Sequence, residues 1–468
     1  MVWVSWENWV AKEMYTGQFG PMTQVRYAAR LGTFSGTMLV VGGIIGSGIF
    51  LSPSVVAQRV GTAPLTLAAW GLGAVVAILG GFVYAELGRR RPQAGGTYVY
   101  LRDAFGTFPA FLYGWALFLI MATGAMAAVA MTGANYLAEL LQLGDGAGRP
   151  IAIALIVVLT VLNILGVGIG ATTGNVLTLL KLAAIAVLVV AALVLTPQHA
   201  LSVAPLAAPL EAPHDVWSVI VAMGGALVPV LFSFGGWQQT NAVAEELVDP
   251  ARTLPRALIF GVLIVAATYL LVNVAYLRAL GVEGLAASRA PAADTMFVYL
   301  GPAGRTLITC GIVTSTIGFL SMVILMSARV YQAMAADGLF FRRMARLHPS
   351  WQTPVDALVA QGVVALLLLL SGTYGQLLDY VVFADWIFFG STAASLFVLR
   401  ARDRSPDGRA QLHPLGILTF IAAAVYVLVG SVQSNPGNAA RGAGLLVLGI
   451  PVYLYWNRRR SRSGDVAT

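Results

Sequence analysis

The chain alternates long apolar stretches with short polar ones from residue 32 to residue 457. Most of the apolar stretches are long enough for a helix to cross the hydrocarbon core of a bilayer. The pattern therefore predicts an all-α polytopic membrane protein with twelve transmembrane helices. The predicted spans lie at 32–56, 63–88, 107–140, 150–168, 171–195, 215–248, 254–279, 303–335, 355–372, 375–399, 414–431 and 441–457.

The first predicted span contains a cluster of glycines, in the sequence GGIIGSGIF at 42–50. Each glycine in a helix interior costs about 1 kcal/mol relative to alanine, so we expect the helix to break there. A break leaves backbone N–H and C=O groups unpaired, which hydrocarbon tolerates only where something polar fills the gap. The cluster therefore predicts a ligand site. The sixth predicted span carries a similar break, FSFGGW at 232–237.

The positions of the two breaks, in the first and sixth spans, indicate an internal repeat of five spans. Because five is odd, the second copy would enter from the opposite side of the membrane, as in the inverted repeats of LeuT-type transporters. The predicted organisation is a LeuT-like 5+5 inverted repeat at 32–400, with broken helices 1 and 6. Two accessory helices follow at 401–457, and cytoplasmic segments lie at 1–31 and 458–468.

The two broken helices are expected to offer donors and acceptors to one cavity. In the first span, the half-helix that starts near Gly46 to Gly48 presents free N–H groups and a positive dipole end, which suit a carboxylate. Carbonyls near Gly43 and Ile44 suit an ammonium. So do carbonyls near Phe232 and Ser233 in the sixth span. A zwitterionic α-amino acid matches both sets. The alternative is that the glycines only permit close helix packing.

Lys181 lies in the middle of the predicted fifth span, within LTLLKLAAIAV. A lysine at the centre of a span costs roughly 2.5–3.5 kcal/mol on insertion scales, so it is expected to face the protein interior and to have a function. We expect its ammonium to replace a coupling cation and to brace the first span against the eighth, with carbonyls near Gly43 and hydroxyl groups such as that of Ser315 as possible acceptors. It could also exchange protons. The alternative is that it extends along the span to the cytoplasmic interface.

The composition supports membrane insertion, since 58% of the residues are hydrophobic and 10% are charged. With the N-terminus inside, the inside regions hold 20 of the 28 lysines and arginines and the outside regions hold 6. The positive-inside rule then places both termini in the cytoplasm and the chain in the plasma membrane. Topology explains the net charge of +8, so no nucleic-acid partner is expected. The single cysteine, Cys310, excludes an internal disulfide.

Other polar residues suggest gates. Four charged residues at cytoplasmic span ends could form an inner gate of ion pairs, with ordinary solvated span ends as the alternative: Glu86, Glu245, Glu246 and Arg329. In the tenth span, Asp385 and Trp386 are expected to line the outer vestibule, where Trp386 is a further gate candidate. Structural hydrogen bonding is equally compatible with these two.

The sequence lacks the motifs of enzymes and ATP-driven pumps. It contains no HExxH, no GxSxG and no P-loop, and its four histidines lie in predicted loops or at span ends. We therefore expect no enzymatic activity, no bound metal and no cofactor.

Four stretches together resemble the amino acid–polyamine–organocation (APC) superfamily, and most closely its L-amino-acid-transporter branch. They are GGIIGSGIF at 42–50, YAELGRRRPQAGGTYVYLRDAFG at 84–106, FSFGGWQQTNAVAEELVDPARTLPRA at 232–257 and SARVYQAMAADGLFFRRMARLHPSWQTPVDAL at 327–358. The resemblance covers about residues 30 to 400. It implies a LeuT-like fold and sodium-independent movement of amino acids, usually by exchange.

The resemblance also implies roles for individual residues. Phe232 matches the family's aromatic lid, Gly235 the small residue that leaves room for the substrate side chain, and Lys181 the fifth-span lysine. The residues that match the site for the substrate backbone are Ile44, Gly46, Ser47 and Gly48. The GGW motif at 235–237 is typical of relatives that carry neutral amino acids.

The chain departs from the animal members of this branch at three places. Residues 141–149 lack the cysteine that links those members to a heavy chain, so no disulfide-linked heavy chain is expected. Gln238 replaces a shorter polar residue. Asp385 stands where the animal members tend to have asparagine. The last two departures leave the preferred substrate side chain open.

The leading hypothesis is a secondary active transporter of α-amino acids that works by alternating access and exchange, with neutral amino acids as the expected substrates. A proton-coupled symporter of amino acids or polyamines is the alternative, and it would require Lys181 to titrate. A membrane channel or amino-acid sensor represents another class. A channel needs rings of carbonyls or charges along a pore, and the sequence shows no repeated filter.

Overall fold

The computed structural model describes residues 27, 29–144, 146–199, 210, 212–371, 374–403, 412–434 and 436–464. Helices dominate these residues. The cytoplasmic segment predicted at 1–31 lies almost entirely outside the described residues.

The first span is broken where its glycines predict. Helix α1 (Thr33–Ile44) ends at the GGI sequence, and helix α2 (Gly48–Val60) begins three residues later. The two helix axes differ in direction by 43°. Ile45, Gly46 and Ser47 form the non-helical connection, because the glycines around them oppose a continuous helix.

The sixth span is broken as well, but its second half is not an α-helix. Helix α9 (Val216–Phe234) ends at Gly235, and a 3₁₀ helix, η1 (Trp237–Glu246), follows Gly236. The sequence prediction of two α-helical halves is wrong in this respect. Short 3₁₀ turns are common at helix ends, where the chain winds more tightly.

The remaining helices follow in chain order. They are α3 (Ala63–Arg90), α4 (Thr97–Phe105), α5 (Thr107–Ala116), a π-helical turn π1 (Leu117–Met121), α6 (Ala122–Leu140), α7 (Gly148–Ile164), α8 (Val167–Val194), α10 (Pro250–Ala287), α11 (Pro291–Ala336), η2 (Arg342–Ala345), α12 (Val355–Ser371), α13 (Tyr374–Arg402), α14 (Pro414–Ser434) and α15 (Pro436–Gly464).

Among the described residues, eight helices are long and apolar enough to cross a bilayer, and the bent pair α1–α2 would make a ninth. Two shorter apolar helices are α7 and α12. Every predicted span overlaps a helix, so the chain is a multi-pass membrane protein, while the number twelve stays a prediction.

Two stretches predicted as loops contain helix. Residues 280–302 are largely helical, because α10 and α11 continue beyond sharp turns at Gly281 (φ 68°) and Gly301 (φ 60°). Both turns need a positive φ, which glycine adopts at little cost. Residues 89–106 contain α4.

The two broken spans lie at the centre of the helix bundle. They pack against α8, α10 and α11, which surround them. Burial of the apolar window is 78% for Thr107–Leu140 and 72% for Pro291–Ala336, but only 17% for Ala439–Arg459. The last helices therefore lie at the periphery, and the polar groups of the breaks lie in the core.

Candidate functional site

The break in the first span leaves backbone donors unpaired. The Gly46 N–H donates to Ile44 O at 2.9 Å, which closes a tight turn. The N–H groups of Ser47, Gly48 and Ile49 have no hydrogen bond within the described chain. The start of α2 thus presents three donors together with the positive end of the helix dipole. Gly46, which the sequence suggested as a donor, does not have a free N–H.

Lys181 occupies the acceptor side of this break. Its side chain is fully buried on α8, and Nζ donates to Ile45 O at 2.6 Å and Gly42 O at 3.2 Å. A third carbonyl, of Ser315 on α11, lies 3.4 Å from Nζ. One ammonium therefore joins the last turn of α1 and the first residue of the break to the neighbouring helix.

Ser315 completes this arrangement from the other side. Its hydroxyl group lies 3.1 Å from Ile45 O and 3.3 Å from Gly46 O, and it can donate to either. Toward Lys181 it is the backbone carbonyl of Ser315 that accepts. The sequence had suggested the hydroxyl as that acceptor, so the residue pair is as expected but the group is different.

The break in the sixth span is satisfied differently. The Gly235 N–H donates to Phe232 O at 3.1 Å and not to Leu231 O, so the Leu231 carbonyl loses its helical partner. Gly236 has φ 118°, a backbone conformation that favours glycine. The Gln238 side chain accepts a hydrogen bond from the Gly236 N–H at 3.0 Å.

The two breaks contact each other directly. The Gly43 carbonyl lies against Gly236, where a Cβ atom would overlap it. Gly48 lies against Ser233, and a Cβ at Gly48 would be 2.6 Å from Ser233 Oγ. Glycine is required at these contacts because the two backbones approach too closely for side chains.

Tyr269 of α10 connects the two breaks through its hydroxyl group. The hydroxyl lies 3.3 Å from Ile44 O and 3.0 Å from Ser233 O, and the ring is fully buried between Trp70 and Phe234. Sequence reasoning missed Tyr269. A tyrosine in an apolar span is common, so nothing in the pattern distinguished it.

A cavity of about 70 Å³ lies between the breaks and α5, α6, α11 and α13. Seven of the predicted substrate residues line it: Ile44, Gly46, Ser47, Gly48, Phe232, Ser233 and Gly235. Gly43 does not line this cavity, since its carbonyl faces Gly236. Lys181 and Ser315 lie behind the broken backbone.

The opposite wall of the cavity comes from helices that the sequence did not assign to the site. Leu117 and Met121, at the two ends of π1, line it. The extra residue of a π-helical turn shifts the register of a helix, and such turns are frequent at functional sites. No glycine or proline within residues 117–121 signals this turn.

Asp385 and Trp386 of α13 also line this cavity, together with Phe319 and Phe389. Trp386 is 2% exposed and packs edge-on against Phe389. The sequence had suggested an outer vestibule for this pair. They instead lie in the same cavity as the glycine breaks.

The predicted inner gate separates into two unrelated groups. Arg329 pairs with Glu246 at 2.7 Å, and both side chains are fully buried. Glu245 is exposed and accepts from the Ala94 N–H, so it takes no part in this ion pair. Adjacent residues of η1 point in different directions, which the sequence could not resolve.

Glu86 belongs to the second group. It is fully buried and pairs with Arg90 and, through both carboxylate oxygens, with Arg400 of α13. No ion pair among the described residues joins Glu86 to Arg329. The predicted single gate is therefore replaced by two ion-pair clusters.

Further ion pairs cover the same end of the bundle. Arg91 pairs with Asp103 at 2.9 Å and with Asp403 at 2.8 Å, and Arg102 pairs with Asp337 at 2.9 Å. The Arg91 guanidinium lowers the pKa of the Asp403 carboxyl. These pairs tie α3 and α4 to the ends of α11 and α13.

Comparisons with known proteins agree on one family. A family model described as amino acid permease matches residues 31–453. The chain is 31% identical over 437 residues to the serine/threonine exchanger SteT of Bacillus subtilis, covering 92% of this chain and 97% of that relative.

Two animal proteins are similar to almost the same extent. The large neutral amino acids transporter small subunit 2 of Homo sapiens is 30% identical over 445 residues, covering 92% of this chain and 81% of the relative. The b(0,+)-type amino acid transporter 1 of Rattus norvegicus is 30% identical over 414 residues, covering 87% of this chain and 83% of the relative.

Proposed function

The chain belongs to the amino acid permease family of the APC superfamily, whose members are transporters and not enzymes, and from this premise we propose that it exchanges neutral α-amino acids across the membrane without sodium. The substrate would bind in the cavity between the two helix breaks. The two halves of the protein would then close alternately around that site.

The observation that carries this proposal is the complementary set of backbone groups at the breaks. Ser47 and Gly48, whose N–H groups are unpaired, line the cavity on one side. Leu231, whose carbonyl has lost its helical partner, lines it on another. The donors suit the α-carboxylate and the acceptor suits the α-ammonium. Charge-assisted hydrogen bonds of about 1.5–3 kcal/mol each would offset desolvation of the zwitterion.

Sodium independence is proposed from Lys181. Its ammonium already takes hydrogen bonds to the Ile45, Gly42 and Ser315 carbonyls. A coupling cation at this place would use the same carbonyl oxygens. The lysine would therefore hold the broken backbone together in place of such an ion.

The neutral substrate class is proposed from the walls of the cavity. Most lining side chains are apolar or aromatic, and Asp385 is the one charged side chain among the described lining residues. An acidic side chain of a substrate would be repelled by that carboxylate. The name of the Bacillus subtilis relative, an exchanger, supports exchange as the mode of transport.

The remaining sequence-based expectations belong to this proposal. We infer a 5+5 inverted repeat, both termini in the cytoplasm and residence in the plasma membrane, all of which rest on the spacing of the breaks and on the distribution of Lys and Arg. We also infer that no disulfide-linked heavy chain is needed. Cys310 lies on α11, and residues 141–149 contain no cysteine.

The test is counterflow into proteoliposomes that contain the purified protein. Vesicles preloaded with an unlabelled amino acid are expected to take up labelled neutral amino acids, with or without sodium outside. Vesicles without internal amino acid should take up little of the labelled amino acid. No uptake across the twenty amino acids and common polyamines, from a protein that is monodisperse and unfolds cooperatively, would refute the proposal.

A pair of variants connects uptake to the cavity. Gly46 borders the cavity beside Phe319, so Gly46→Leu should fill it and abolish uptake. Gly71 has no neighbouring atom within 4 Å of an added Cβ, so Gly71→Leu is the matched control and should retain uptake. Equal loss of uptake in both variants would argue against this cavity as the transport site.

Proton-coupled symport is the second candidate, because Lys181 is a buried titratable group in direct contact with the first break. In that case an inward proton gradient should drive uptake into vesicles without internal amino acid. Lys181→Met should remove this gradient-driven uptake while some exchange persists. Uptake that does not depend on the proton gradient would favour exchange as the mode of transport.

A further inference from the structure

Asp385 is a carboxylate without a described partner. It lies on α13, partly buried, and faces the cavity between the helix breaks. Every other acidic residue of the bundle interior that we describe above, such as Glu86 and Glu246, pairs with arginine. No hydrogen bond or ion pair joins Asp385 to another described side chain.

An unpaired carboxylate inside a membrane protein is costly. Burying a charged carboxylate inside a span is very unfavourable when no hydrogen-bond donor or cation lies beside it. Glu86 in the same bundle, by contrast, pairs with two arginines, Arg90 and Arg400. Asp385 faces a cavity instead, so the group that satisfies it is expected to come from whatever occupies that cavity.

The position of Asp385 separates it from the groups that would bind the substrate backbone. Those groups, at Ser47, Gly48 and Leu231, belong to the two broken spans. Asp385 comes from the opposite wall, on the same helix as Trp386 and Phe389. An amino acid held by its α-carboxylate and α-ammonium at the breaks would direct its side chain toward that wall.

The volume of the cavity limits the length of that side chain. The space is about 70 Å³, and one water molecule takes about 30 Å³ in the liquid, so the cavity suits a short side chain better than a long one. Phe319, Trp386 and Phe389 enclose the space with aromatic rings, so a long side chain would have to displace them.

We propose that Asp385 is a specificity-determining residue, which accepts a hydrogen bond from the substrate and favours short side chains that end in a hydroxyl group over aliphatic ones of equal size. This inference rests on the proposed function. It adds the side-chain class, which the backbone groups at the breaks do not discriminate.

The experiment compares amino acids of matched shape in the proteoliposome assay. Threonine and valine differ by a hydroxyl in place of a methyl group, as do serine and 2-aminobutyrate. For the wild-type protein, the ratio of kcat/KM for threonine over valine is expected to be roughly 10 to 100. 2,4-Diaminobutyrate serves as the amine probe, and its ratio to norvaline, which has a methyl group in place of the amine, shows whether an amine or a hydroxyl is the preferred donor.

Two isosteric variants test the residue itself. Asp385→Leu should bring the threonine-to-valine ratio close to 1, because the acceptor is lost. Asp385→Asn should keep part of the hydroxyl preference but lose any amine preference, because its charge is lost. Asp356, exposed in the first turn of α12, provides the matched control: Asp356→Leu should leave both ratios unchanged.

The outcomes distinguish this inference from the proposed function. If the wild-type protein exchanges no amino acid, the proposed function fails. If it exchanges amino acids but Asp385→Leu leaves the ratio unchanged, the specificity role is overturned. The role is also overturned if the variants lose only the pH dependence of uptake, since Asp385 would then carry a proton. If Asp385→Leu does not fold, Asp385→Asn decides: a smaller threonine-to-valine ratio than in the wild-type protein supports the role, and an unchanged ratio overturns it.

Discussion

The two helix breaks begin from similar glycine sequences but use their backbone groups in opposite ways. At the first break, the carbonyls of Gly42, Ile44 and Ile45 already accept hydrogen bonds, and the N–H groups that follow are open. At the second, Gly235 and Gly236 have used their N–H groups, and the Leu231 carbonyl is open.

This difference gives the cavity its polarity. A break that resumes as an α-helix presents a cluster of N–H donors, whereas a break that resumes as a 3₁₀ helix uses its first donors locally. The sequence had suggested donors and acceptors at the first break together. The buried lysine changes that distribution, because it takes the carbonyls on one side and leaves only donors.

The contact between the breaks should be the feature most sensitive to substitution. In Gly236→Ala, the new Cβ would overlap the Gly43 carbonyl and adopt a strained backbone conformation, so we expect a loss of roughly 2–6 kcal/mol. Thermal unfolding in detergent measures this. Gly235→Ala, at φ −61°, is the control and should lose much less. Equal unfolding temperatures would mean that the breaks are not in close contact.

Substitution of Lys181, beside the first break, is expected to have the next largest effect. Lys181→Met keeps the length of the side chain but leaves the Ile45 and Gly42 carbonyls without their donor, which costs about 1–3 kcal/mol. Exchange should fall at least tenfold, because the backbone that positions Ser47 and Gly48 loosens.

Thr178 is the matched control for Lys181. It lies one turn earlier on α8 and also contacts the first span, but its hydroxyl donates to Met38 O and not to the carbonyls that Lys181 holds. Thr178→Val should reduce exchange far less than Lys181→Met. Similar losses would show that general packing of α8, and not the ammonium, supports the site.

Tyr269 allows the two breaks to be tested together. Tyr269→Phe keeps the ring packing on Phe234 and removes the hydroxyl that serves both Ile44 O and Ser233 O, with an expected loss of about 1 kcal/mol and a severalfold slower exchange. Tyr276→Phe is the control, since its hydroxyl contacts only Ile49 O of α2. A larger effect of Tyr276→Phe on exchange would contradict the bridging role.

The smallest effect is expected at the cap of the second break. Gln238→Met removes the acceptor of the Gly236 N–H and should cost about 0.5–1.5 kcal/mol. Gln239→Met, the next residue in η1, serves as the control in thermal unfolding. If the two variants unfold at the same temperature, Gln238 does not stabilise the break.

Some parts of the site could be predicted because their signals are local. The glycines at 42–48 and 235–236 oppose helix formation wherever they stand, so both breaks were visible in the sequence. Lys181 was visible because a charge in an apolar stretch needs a polar environment. The resumption of the sixth span as a 3₁₀ helix was not visible, since no composition difference separates it from an α-helix.

Other parts of the site could not be predicted, because they depend on the direction of a side chain and on the residue that it contacts. Glu245 and Glu246 are neighbours in sequence, and only the turn of η1 decides that Glu246 meets Arg329 while Glu245 faces outward. Tyr269 and the π-helical turn at Leu117–Met121 carry no sequence signal of their own. Their roles follow from what they contact.

By itself, the sequence determined that this chain lies in a membrane, where two of its helices break and which lysine is buried beside them. Hydropathy and glycine propensity act over a few residues, so these features need no knowledge of the fold. Only the tertiary structure decided which backbone groups are used and which stay open. Lys181 and Gly42 are 139 residues apart, and Tyr269 and Ile44 are 225 apart. Such pairs form only when the packed helices bring them together, and the polarity of the cavity depends on them.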